Sequence, residues 1–85
     1  MVDVTIYTSR ICPYCIKAKQ LLDSREVAYK EICVDGSDEL ASEAVRKSGG
    51  KKTVPQIFIG DHHVGGCDEL YAMNQQGRLD KLLNP

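Results

Sequence analysis

Apolar and polar residues alternate along this chain with two different periods, and the switches between them mark its elements. From Val2 to Tyr7, Val2, Val4 and Ile6 alternate with Asp3, Thr5 and Tyr7, the signature of a strand whose second face is only partly polar. After Cys12 the period lengthens. Cys15, Ala18 and Leu22 follow at i, i+3 and i+7 with Leu21 beside them, while Lys17, Lys19, Gln20 and Asp23 point elsewhere. That pattern predicts an amphipathic helix, and Pro13 suits its first position, where a missing N–H costs nothing. Val27 to Val34 reads as a second strand, with Ile32 and Val34 on one face and Tyr29 and Cys33 on the other. Cys33 is expected there as a small, half-buried apolar residue.

Asp35-Gly36-Ser37 supplies a turn and a cap ahead of a helix through Leu40, Ala41, Ala44 and Val45, which Gly49-Gly50 ends. Thr53 to Ile59 and His62 to Val64 read as short strands, and Gly60-Asp61 between them predicts a tight hairpin with Gly at its first central position. His62 and His63 then only finish that hairpin. Gly65-Gly66 leads into a last helix carrying Leu70, Tyr71 and Met73, interrupted near Gly77, before a short apolar end at Leu79, Leu82 and Leu83. The order is β-α-β-α-β-β-α. Its first βαβ unit should be parallel and right-handed, and its closing hairpin antiparallel. The expected fold class is therefore α/β, a four-stranded mixed sheet with helices on both faces. No repeat, linker or low-complexity stretch divides it, so residues 1–85 read as a single domain.

Composition changes this picture only by exclusion. With 42% hydrophobic and 27% charged residues, the chain is ordinary for a soluble domain. A formal charge of -1 argues neither for nor against nucleic acid, whose binding would show as a clustered basic face, and no nucleic-acid partner is expected. No apolar run reaches the length of a membrane span, and Met1-Val2-Asp3-Val4 lacks the basic and apolar regions of a signal peptide. A cytoplasmic, reducing location follows, and with it a catalytic or metal-binding use of cysteine in place of a disulfide framework.

Cys12-Pro13-Tyr14-Cys15 is where that use concentrates. Two cysteines three residues apart at a helix start can reach each other across one turn, so the pair can exist as dithiol or disulfide. The unpaired N–H groups and partial positive charge of the helix N-terminus favour a thiolate at Cys12, with Arg10, Lys17 and Lys19 adding nearby charge. Cys15 falls on the apolar stripe. It should be the more buried and less ionised sulfur, so Cys12 is read as an exposed attacker and Cys15 as its resolver. A structural zinc site would need four ligands from Cys12, Cys15, Cys33, Cys67, His62 and His63. No second CxxC or HxxxH pair supports it, and no metal is expected. Thr53-Val54-Pro55 is read either as a trans proline opening an edge strand or as a cis bond presenting Val54's backbone to an extended peptide. Asp68, after Gly65-Gly66-Cys67, is read as a helix cap or as a holder of an ammonium group, with free N–H groups beside it for a carboxylate.

The three segments together, Cys12-Pro13-Tyr14-Cys15, Thr53-Val54-Pro55 with Gln56-Ile57-Phe58-Ile59, and Gly65-Gly66-Cys67-Asp68, resemble the glutaredoxins, most of all the short bacterial dithiol class. The similarity runs from Val4 to about Leu83. It implies a thioredoxin-like fold and a glutathione-dependent thiol–disulfide oxidoreductase, acting as a monomer on disulfide-containing or glutathionylated proteins. By the same resemblance, Thr53, Val54 and cis-Pro55 meet the cysteinyl part of glutathione. Gly66, Cys67 and Asp68 would meet its γ-glutamyl end, with Tyr14 and Lys52 as flanks. The family's usual basic residue three positions before the nucleophile is here Ser9, with the charge on Arg10. The other class the resemblance allows is an iron–sulfur carrier, two subunits sharing a cluster through Cys12 and two glutathiones. The resolving Cys15 argues for the oxidoreductase, because it offers a competing disulfide.

Overall fold

Four strands and four helices follow one another as β1 (Val4–Thr8), α1 (Pro13–Ser24), β2 (Lys30–Cys33), α2 (Asp38–Lys47), β3 (Gln56–Ile59), β4 (His62–Gly65), α3 (Cys67–Gln75) and α4 (Arg78–Leu83). The coordinates are a computed structural model that describes residues 2–84; Met1 and Pro85 of the expected domain lie outside the described residues. Strand order in the sheet is β2-β1-β3-β4. β1 pairs β2 in parallel and β3 antiparallel, and β3 pairs β4 antiparallel. The crossover through α1 and the closing hairpin thus produce the expected mixed sheet.

Alternation along the strands divides the molecule into layers. Val4 and Ile6 of β1, Ile57 and Ile59 of β3 and Val64 of β4 join Ala18, Leu21 and Leu22 of α1, Leu70 and Met73 of α3 and Leu79 of α4 in one core. Tyr7 points the other way. It is fully buried, meets Phe58 edge to face at 5.8 Å, and has the Lys47 ammonium of α2 5.9 Å from its ring centroid. α2 therefore covers the second face, and its N-terminus is capped by Ser37, whose Oγ accepts from the Leu40 N–H at 3.2 Å.

Several expected boundaries move. β1 begins at Val4 and not Val2, and β2 is shortened to Lys30–Cys33. The residues before β2 belong to the exit from α1, where the Val27 N–H donates to the Leu22 carbonyl at 3.0 Å. Cys33 is exposed, not half-buried, because β2 is the edge strand and Cys33 lies on its open side. β3 starts after Pro55, which has no N–H to give a ladder. The Gly60-Asp61 hairpin forms as expected, with positive φ at Gly60. In β4, Val64 is the extra residue of a bulge between the Phe58–His63 and Ile57–Gly65 pairs. The last helix breaks in two at Gly77, which is left-handed.

Candidate active site

The loop from β1 delivers Cys12 as the N-cap of α1, in extended conformation, with Pro13 in the first turn. Its Sγ accepts from the Cys15 N–H at 3.1 Å, and Cys12 and Cys15 form a disulfide. Both sulfurs are buried in this oxidised state, Cys12 at 8% exposure and Cys15 at 1%. The expectation of an exposed Cys12 is corrected to that extent, because bonding to Cys15 draws it against the helix. Cys12 nevertheless keeps the more accessible position of the two. α1 has no acidic residue in its first turn, so nothing offsets the positive end of the helix beneath the sulfur.

The flanking charges divide. Lys19 turns to Glu31 on β2, 3.0 Å away, and Lys17 lies 5.9 Å from the Tyr14 ring centroid. Arg10 is held through its backbone. Its N–H donates to Asp35 at 2.7 Å while the Ser9 hydroxyl donates to the same carboxylate at 2.9 Å. These two donors, Arg10's N–H foremost, hold the Asp35 carboxyl below its usual range. Asp35 thus ties the end of β1 to the end of β2 just ahead of the cysteines, a role not evident from its position in a turn signal.

The Val54–Pro55 bond is cis, which decides between the two sequence readings of Pro55. It brings the Val54 carbonyl oxygen 3.7 Å from Cys12 Sγ. Among the described residues nothing hydrogen-bonds to the Val54 N–H. A groove of about 170 Å³ opens here, lined by Tyr14, Thr53, Val54, Pro55, Gly66, Cys67, Asp68 and Glu69. Lys52, next to Thr53 in the chain, is exposed and outside the lining. Larger hollows of about 510 and 460 Å³ lie along α2 and beside Arg25, away from both sulfurs. Size does not mark the site; the sulfurs do.

A second helix N-terminus faces the same groove. Gly66 is the N-cap of α3, and Asp68 sits exposed in the first turn, so Asp68 is not the cap. Glu69 does that work: its Oε1 accepts from the Gly66 N–H at 3.0 Å. The N–H groups of Cys67 and Asp68 remain at the open end of the helix. Glu69 was not anticipated, although its spacing from Gly66 is that of a capping box. Gly65 has φ of +116°, a conformation L side chains rarely adopt, and a Cβ there would also push the Glu69 carboxylate, 2.7 Å away, out of its place. Cys67 is buried, and that burial, with Asp68 next, pushes its thiol pKa up. A raised pKa leaves that sulfur little thiolate character. The described residues contain no cluster of three or more His, Cys, Asp or Glu suited to a metal ion.

Comparison with known proteins agrees with this arrangement. The family model described as Glutaredoxin matches residues 4–64. Glutaredoxin 1 of Rickettsia conorii is 58% identical over 81 residues, which span 94% of this chain and 79% of the relative. The solution structure of a glutaredoxin from Brucella melitensis superposes with a TM-score of 0.86 at 52% identity, covering 98% of this chain and 89% of that one. A buckwheat glutaredoxin–glutathione complex superposes with a TM-score of 0.86 at 28% identity, covering 96% and 76%. The sheet and its helices are those of the thioredoxin-like fold.

Proposed function

The chain belongs to the glutaredoxin family and is a glutathione-dependent thiol–disulfide oxidoreductase, and on that premise we propose that Cys12 is its nucleophile and Cys15 its resolving thiol. The observation that carries this assignment is the placement of Cys12 Sγ. It caps an uncompensated helix N-terminus, receives the Cys15 N–H, and borders the Val54–Pro55 groove. Each of the first two features stabilises a thiolate more than a thiol.

The groove suits an extended γ-glutamyl tripeptide. The Val54 N–H and carbonyl pair with its cysteinyl backbone, as a strand would add to an edge, with Thr53 and cis-Pro55 shaping the wall. The free N–H groups at the start of α3, from Cys67 onward, receive the γ-glutamyl α-carboxylate, Gly66 lets the backbone approach closely, and Asp68 takes the ammonium group. Tyr14 closes the near side, and exposed Lys52 reaches the glycyl carboxylate.

Two branches follow. With a glutathione mixed disulfide, the Cys12 thiolate attacks the glutathione sulfur and the substrate leaves as a thiolate that takes a proton. A second glutathione then attacks glutathionylated Cys12, releasing glutathione disulfide and restoring the thiolate. With a protein disulfide, Cys12 forms a mixed disulfide and releases one substrate thiolate. Cys15 then displaces the second, leaving the Cys12–Cys15 disulfide seen here, and two glutathiones return it to the dithiol. The partners are glutathione and disulfide-containing or glutathionylated proteins. The chain works as a monomeric single domain in the cytoplasm without a resident metal, and among the described residues no helix is long and apolar enough to cross a membrane.

Glutathione-dependent reduction of a small glutathione mixed disulfide tests the assignment. Cys12→Ser should fall to the rate without enzyme, while Cys15→Ser keeps this activity and loses reduction of protein disulfides. Full activity of Cys12→Ser would overturn the scheme.

A further inference from the structure

Ile11 is 92% exposed, far more than any other large apolar side chain among the described residues. A local use was open to it. It precedes the N-cap Cys12, and Ile16 is the fourth residue of α1, the two positions that ordinarily close as a hydrophobic staple. At that exposure, with Ile16 itself 52% exposed, the staple is not made. The side chain is not on a loose tether either, because Asp35 fixes Ser9 and Arg10 directly before it.

Geometry says what such a side chain meets. A mixed disulfide holds the two cysteine Cα atoms about 5.5–6 Å apart. The Cα of Ile11 is about 3.8 Å from that of Cys12. The substrate residue next to the attacked cysteine therefore comes within side-chain reach of Ile11. Ile11 is absent from the lining of the Tyr14–Val54–Pro55–Cys67 groove, so a bound glutathione leaves it free. We propose that Ile11 is the docking contact for protein disulfides that carry an apolar residue beside the attacked cysteine. The inference rests on Cys12 being the nucleophile.

Two peptides, each closed by one internal disulfide and differing only in Leu or Ser beside both cysteines, test it together with a small glutathione mixed disulfide. The wild type should reduce the Leu peptide with a kcat/KM roughly fivefold above the Ser peptide, the gain from partial burial of two apolar side chains. Ile11→Ser should bring that ratio near one and leave the mixed-disulfide rate unchanged, and Ile11→Val should keep most of the preference. A ratio that survives in Ile11→Ser, a wild type that does not discriminate, or parallel loss on all three substrates would each overturn the proposal. A Cys12→Ser protein that still reduced the mixed disulfide would instead overturn the nucleophile assignment, and the docking contact with it.

Discussion

Glu31 shows how much a single carboxylate on the edge strand does. It accepts from the buried Thr8 hydroxyl at 2.8 Å and from the Lys19 ammonium at 3.0 Å, tying β2 to both β1 and α1. Thr8 first, then Lys19, holds its carboxyl below the ordinary value. A lowered folded pKa means stability that is present above the unfolded value of about 4.3 and lost as pH falls through the folded one. Glu31 is 39% exposed, so solvent screening limits the effect to no more than about 1 kcal/mol. Glu31→Gln should therefore be less stable than wild type at neutral pH, and the two urea midpoints should converge as pH drops below the carboxylate range. A constant gap down to low pH would contradict this. At the same scale, residue type and position made Cys12 and Cys15 legible, because sulfur at a helix start has a known chemistry. Glu69, Asp35 and the exposure of Cys33 were not legible, because each depends on which strand ends and edges the fold brings together.

At the scale of elements, period did most of the work. α1 and α2 stand where their apolar spacing and caps put them, and the hairpin turns at Gly60-Asp61. The bulge at Val64 left no signal, since one inserted residue changes pairing without changing composition. The start of β2 was misplaced because Val27 and Tyr29 pack against the core from a loop, and apolar packing alone does not make a ladder. The α3–α4 break at Gly77 was legible, and its energetics can be checked. Gly77 has φ of +74° and open space where a Cβ would go, so Ala there meets only the backbone penalty of the left-handed region. Gly77→Ala should lower stability by about 1 kcal/mol, seen as a shift of the denaturation midpoint with an unchanged slope. An unchanged or raised midpoint would mean that α3 and α4 can join as one helix.

For the whole molecule, the separate pieces acquire meaning only through the sheet. β1 ends at the cysteines and β3 begins at cis-Pro55 beside it, while the bulged end of β4 feeds the start of α3. Three segments far apart in the chain, at residues 12–15, 53–55 and 66–68, thus border one groove. Their order and spacing were readable because they form a family pattern; their convergence is a property of the topology. The central claim is that Cys12, among four cysteines, is the sulfur that exchanges with glutathione. The Cys15→Ser protein treated with less than one equivalent of glutathione disulfide, then digested and mapped by mass, tests it most directly. The glutathionyl group should be found on Cys12. Its appearance on exposed Cys33 or on Cys67, with Cys12 left unmodified, would contradict the account.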